Sequence, residues 1–136
     1  MKSFKFLFIA LMALFMNISC SSQTNKKDEN TQVSKAGKVE IFYFHYTRRC
    51  VTCQSVENVS GEAVTGLCGD KVSFTDFNLD EERGKQKGEQ LGVSGQTLLI
   101  VSGDTMINIK NEGFINARSN PYKLKQIIKE KIDPLL

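Results

Sequence analysis

Two cysteines separated by two residues, Cys50-Val51-Thr52-Cys53, are the groups in this chain best placed to do chemistry. At that spacing two thiols lie one helical turn apart. One can attack a foreign disulfide as a thiolate, and the other can then displace the mixed disulfide by closing an internal bridge. A thiolate needs a source of positive potential. Arg48 and Arg49 immediately precede Cys50, and a helix starting here adds its unpaired N–H groups and its dipole. Arg49, next to the thiol, is expected to tune it; Arg48 is either a docking charge for an anionic partner or an exposed loop charge. His45 is a candidate proton relay or ligand, or a strand-end histidine without a role. The same spacing also serves structural zinc, which takes four ligands, commonly as two such pairs. Cys68 and His45 could complete a set, but the chain holds no second pair. A permanent structural disulfide is a third reading, favoured if the protein is exported to an oxidising compartment. Cys68, between Leu67 and Gly69, is expected as a small core residue, with a third redox thiol as the alternative.

The elements that must hold this pair are legible as hydrophobic patterns. Val39 to Phe44 is apolar on both faces and reads as a central buried strand ending just before the cysteines. Val56, Val59, Ala63 and Leu67 recur at helical spacing, with Gly61 as a weak point within the run. Val72 to Phe77 reads as a second strand. Asp80 is expected to cap a short, largely exposed helix whose first turn holds Glu81 and Glu82, and Gly92 should stop it. Thr97 to Val101 and Met106 to Ile109 read as a hairpin about Ser102-Gly103-Asp104. Asn120-Pro121 opens a final helix with a buried stripe of Leu124, Ile127, Ile128 and Ile132, closed by Asp133-Pro134. The expected fold is α/β, in the order β-α-β-α-β-β-α, with a mixed four-stranded sheet and helices on both faces. Glu57 and the lysines from Lys125 to Lys131 read as solvated faces.

The N-terminal third has a different character. Lys2 and Lys5 precede an apolar run from Phe6 to Met16. That run is short of the ~20 residues needed to span a bilayer and matches a secretory signal instead. Ser19-Cys20 follows it, which resembles a bacterial lipoprotein processing site, although Asn17 stands where that pattern usually has Leu. Residues 1–19 are therefore expected as a signal peptide. Cys20 is expected as the lipid-bearing residue, and residues 20–37, nearly free of apolar side chains, as a flexible tether to a domain spanning 38–136. The formal charge is +3, and removing Lys2 and Lys5 leaves +1. With no basic patch interleaved with aromatics, nucleic acid is not an expected partner. With Cys20 lipidated, three of the four cysteines remain as thiols, so a purely disulfide-built scaffold is a poor reading.

Residues 38–136 resemble the thioredoxin superfamily in Val39–Phe44 leading into Cys50 and Cys53, in Gln96-Thr97-Leu98-Leu99-Ile100-Val101, and in Glu112-Gly113-Phe114 with the closing helix. They look closest to an exported family, the ArsF-type subunits of nitrophenyl-compound nitroreductases. The features shared with it are Arg48-Arg49-Cys50-x-x-Cys53, Ser94-Gly95-Gln96-Thr97-Leu98-Leu99 and Asn111-Glu112-Gly113-Phe114. The resemblance implies an exported protein, and with the lipid expected on Cys20 a membrane-anchored lipoprotein facing the periplasm or the cell surface. It would be a thiol–disulfide oxidoreductase or electron-transfer protein with Cys50 attacking and Cys53 resolving. Its partner would be another redox protein, such as a nitroreductase subunit. No stretch resembles a flavin or nicotinamide site, so no cofactor is expected. Three departures matter. Val51-Thr52 stands where thioredoxins have Gly-Pro. Phe44 occupies the position of a buried Asp that relays protons to the second cysteine. Gln96 replaces a cis-proline facing the dithiol, and a non-proline cis bond costs ~2.5–4 kcal/mol, so a trans bond is expected. Loss of that proline is expected to weaken backbone recognition of an extended peptide. It also gives weight to an alternative: a carrier binding a soft ion such as Cu(I) or As(III) through Cys50 and Cys53, with or without His45.

Overall fold

The computed structural model describes residues 38–67 and 69–136. The expected signal peptide, Cys20, the tether and Cys68 lie outside these residues. Four strands, β1 (Val39–His45), β2 (Val72–Asn78), β3 (Thr97–Ser102) and β4 (Thr105–Asn108), form one sheet in the order β2-β1-β3-β4. β1 runs parallel to β2 and antiparallel to β3, and β3 pairs antiparallel with β4. The sheet is therefore mixed and four-stranded, as expected, with β1 between two neighbours and apolar on both faces.

Alternation along β1 divides the core. Val39, Ile41 and Tyr43 point to one face, where they pack with Leu98, Ile100 and the helices α1 (Val51–Leu67) and α4 (Pro121–Ile132). Phe42 and Phe44 point to the other and meet Phe77. α2 (Glu82–Gln90) lies beside β2, its only buried residues being Gly84 and Gly88. It is as exposed as its sequence implied.

α1 runs unbroken through Gly61, whose small size suits its place 3.7 Å from the Phe74 ring. Val56, Val59 and Ala63 are buried as expected, but Val64 joins them and Leu67 is largely exposed, because the stripe rotates about the helix over its last turn. In α4, Leu124, Ile128 and Ile132 are fully buried and Ile127 only partly so. The Asn120 side chain caps α4 by accepting from the Lys123 N–H at 3.1 Å.

Three expectations need correction. The order is β-α-β-α-β-β-α-α, because a further helix, α3 (Lys110–Ser119), stands between β4 and α4. β4 starts at Thr105 and ends at Asn108, since Ile109 turns inward, donates its N–H to the Leu98 carbonyl at 2.9 Å and begins α3. Asp80 does not cap α2: the cap position is Glu81, without a side-chain bond. The Asp80 carboxylate instead accepts the Thr47 N–H at 2.8 Å, joining two loops at the same end of the sheet.

Candidate functional site

The two cysteines sit where β1, running parallel to β2, hands over to α1. After His45 the chain crosses a short loop fixed by bonds from the β2 side. The Leu79 N–H donates to the His45 carbonyl at 2.7 Å, the Asn78 amide donates to the Thr47 hydroxyl at 3.0 Å, and Asp80 accepts from Thr47. Those bonds to Thr47 hold the Asp80 carboxyl below the usual carboxylate range. The loop delivers Cys50 to the cap position of α1, where its carbonyl accepts the Gln54 N–H at 3.1 Å, the first bond of the helix.

Cys50 is exposed and Cys53 is buried, and both are free thiols. Their sulfurs lie 2.7 Å apart, and the Cys53 N–H points at the Cys50 sulfur from 3.3 Å. A bridge of ~2.05 Å closes with a sub-ångström movement. The hydrogen bond from the Cys53 side chain is the largest influence on Cys50 and lowers its pKa, followed by the Cys53 N–H; burial opposes them, and the N–H groups of Thr52 and of Cys50 itself add smaller lowering effects. The Cys53 thiol and the N–H groups of the helix start thus act together on the exposed sulfur.

The arginines were expected to share in that task, and the geometry assigns Arg49 elsewhere. Its guanidinium pairs with the Glu57 carboxylate, each side chain 27% exposed. Neither arginine is among the principal causes of the lowered Cys50 pKa. Glu57 is thus no solvated bystander: it faces Arg49 from α1, eight residues along the chain. Arg48 is exposed.

Gln96 lies where expected, against the buried thiol. Its Nε2 donates toward the Cys53 sulfur at 3.6 Å, and the Cys53 S–H faces Oε1 at 3.8 Å. No cis peptide bond occurs among the described residues, so the bond before Gln96 is trans. His45 is buried, with both ring nitrogens engaged: Nδ1 at 3.0 Å from the Tyr46 carbonyl and Nε2 at 3.2 Å from the Asp76 carboxylate. Its partners are therefore strand and loop groups. Among the described residues, no three His, Cys, Asp or Glu side chains gather as a metal site. Beside the loop lies a polar cleft of about 390 Å³, lined by His45, Asp76, Arg49 and Arg83 among others.

One site residue escaped the sequence reading. Phe44, at the position that the resemblance pointed to as a proton relay, faces the aromatic cluster on the far side of the sheet. Tyr43 is the β1 residue on the dithiol's side, fully buried, and the Cys53 sulfur acts on its hydroxyl. Strict alternation from Val39 would have found it: positions 39, 41, 43 and 45 share the face that α1 covers.

No family model matches the chain, and no curated protein matches it. A solved chain described as "Structure of a malarial protein" is similar to it at 17% identity, with 69% of this chain and 97% of that chain covered and a TM-score of 0.50. At that identity the likeness concerns the fold alone, a mixed α/β sheet with helices.

Proposed function

We propose that residues 38–136 form a thioredoxin-like domain that works as a thiol–disulfide oxidoreductase or electron carrier through Cys50 and Cys53. One observation carries this reading: an exposed thiol of lowered pKa stands 2.7 Å from a buried one at a helix start. In the reducing direction the Cys50 thiolate attacks a partner's disulfide. A Cys50–partner bond forms and one partner thiolate leaves. Cys53 gives up its proton and attacks the Cys50 sulfur, the internal bridge closes, and the partner departs carrying two electrons and the proton. Running the steps backwards accepts electrons from a partner dithiol.

The partner is a redox protein, with a nitroreductase subunit as a candidate class from the sequence resemblance. The chain is proposed to be exported and held at the membrane by a lipid on Cys20. Among the described residues no helix is long and apolar enough to cross a membrane.

Equilibration of the protein with glutathione buffers tests the reading. A reduction potential within ~−270 to −120 mV supports exchange chemistry, and one below ~−300 mV means a structural bridge. Tight, stoichiometric capture of Cu(I) or arsenite by the reduced protein, with a potential outside that range, would replace the exchange reading with the carrier reading.

A further inference from the structure

The Gln96 amide is given over to one atom. Its Nε2 lies 3.6 Å from the Cys53 sulfur and its Oε1 lies 3.8 Å from the same sulfur. Among the described residues the Gln96 side chain bonds to no other group. The sulfur therefore faces the donor end and the acceptor end of one amide almost equally. An amide so placed can accept an S–H or donate to a sulfur without moving. The backbone beside it is pinned. The Thr97 hydroxyl donates to the Gly95 carbonyl at 2.9 Å, and Thr97 stands in register with Phe44 on β1.

Cys53 carries one hydrogen, and its needs change through the exchange cycle. In the dithiol its S–H is best spent on the Cys50 sulfur at 2.7 Å, which leaves the Cys53 sulfur open to the Gln96 N–H. In the mixed disulfide Cys50 has given its charge to the bond with the partner and is a poor acceptor. Gln96 Oε1 is then the acceptor at hand for the S–H. When Cys53 loses its proton to attack, its sulfur becomes an anion. Cys53 is only 3% exposed, so water cannot surround that charge, and a buried charge without hydrogen bonds is costly. The Gln96 N–H already stands against the sulfur to meet it.

We propose that Gln96 is a positioning residue for Cys53, whose amide N–H holds the sulfur as it ionises and so sets how fast a covalently bound partner is released. The inference rests on the exchange reading above and deepens it. In the step concerned, the Cys53 S–H gives its proton to water, and the resulting thiolate attacks the Cys50 sulfur. The Cys50–Cys53 bond forms and the Cys50–partner bond breaks. The electron pair of the broken bond leaves on the partner's sulfur, which takes up a proton from solvent. Mixed disulfide and protein thiol become internal disulfide and partner thiol.

The test mixes the reduced full chain with dithiobis(nitrobenzoate), an aromatic disulfide whose thiolate half is coloured. Attack by Cys50 releases one coloured thiolate and resolution by Cys53 releases a second, so stopped-flow absorbance reads the two steps apart. Cys53→Ala gives the first release alone, together with any release from the other cysteines. Gln96→Leu keeps the bulk and removes the amide. Its second release should slow about tenfold, the size of one hydrogen bond to a charged group. Its first release should change by less than about twofold, since only polarisation through the Cys53 S–H reaches Cys50. Gln96→Glu keeps the shape, removes the donor and adds a negative charge, so its second release should be slower still. A role in packing alone would leave Gln96→Glu at the wild-type rate. If Gln96→Leu loses its fast first release as well, Gln96→Glu decides. A wild type that resolves, with a second release equally fast in Gln96→Leu or as fast or faster in Gln96→Glu, overturns the inference while the exchange function stands. A wild type that never gives the second release overturns the exchange reading and this inference with it.

Discussion

The two faces of the sheet are packed by different chemistry. On the face covered by α1, α3 and α4 the contacts are mainly aliphatic, and the buried polar groups include Tyr43, Cys53, Ser60 and Asn116, with the hydroxyls of Tyr43 and Ser60 lacking partners. On the other face, Phe42, Phe44 and Phe77 pack ring to ring, Phe44 and Phe77 stacked at 5.4 Å and Phe42 and Phe77 edge-on at 5.6 Å. α2 adds no large apolar side chain there. It lays the Arg83 guanidinium 5.0 Å over Phe77 and the Lys87 ammonium 4.8 Å over Phe42. It comes close because Gly84 and Gly88 have no side chain; a Cβ on Gly84 would overlap the Asn78 carbonyl oxygen. The aromatic face is thus a clamp with its polar groups at the rim. The aliphatic face carries two unpaired hydroxyls in its interior, and the buried thiol of the dithiol lies on the same side. The difference teaches where stability and reactivity are separately held.

Phe44→Ala is the strongest way to break that division. Removing a fully buried ring from the aromatic cluster should cost about 3–5 kcal/mol of stability in denaturant unfolding. The potential of Cys50 and Cys53 should remain as in the wild type, because Phe44 packs into the aromatic cluster on the opposite face of the sheet. A shifted potential in the folded variant would mean the faces are not independent.

A smaller effect sharpens the account at the seam where the loops meet. Asp80 has its pKa depressed in the folded protein by the Thr47 N–H. Its contribution is therefore present above the unfolded carboxylate value of ~3.9 and is lost as the pH falls through the lower folded value. Asp80→Asn should lower the melting temperature slightly at neutral pH, and the gap from the wild type should close as the pH falls through the lowered folded value. A gap that persists in acid would show that Asp80 acts through something other than its charge.

Much of this arrangement was legible, for reasons that can be traced to particular residues. The run Val39–Phe44, apolar on both faces, has one physical solution in an α/β protein, a strand with neighbours on both sides. Asn120-Pro121 marks a helix start by two independent requirements, a side-chain acceptor and a fixed φ. α3 was not legible. Its apolar residues Phe114 and Ile115 are adjacent instead of spaced by a turn, Ile115 is 69% exposed, and what the helix buries is Gly113, Asn116 and Ala117. Such a helix is held by close approach: a Cβ on Gly113 would sit 3.2 Å from the Leu98 side chain. Within the site, the cysteines and Gln96 were found from spacing and resemblance. Glu57 was missed because Arg49 lies before the helix begins, where helical periodicity no longer predicts neighbours. Tyr43 was missed because a strand buried on both faces gives no contrast between its two sides.

The central claim is that Cys50 is held as a thiolate by its neighbours across one helical turn. The pH profile of its alkylation by iodoacetamide, with and without Cys53→Ala, tests this most directly. The rate should reach half its maximum below the ~8.5 of an ordinary cysteine, and the midpoint should rise in the variant, which lacks the thiol that most lowers it. A wild-type midpoint at or above about 8.5, or one that Cys53→Ala leaves in place, would contradict it.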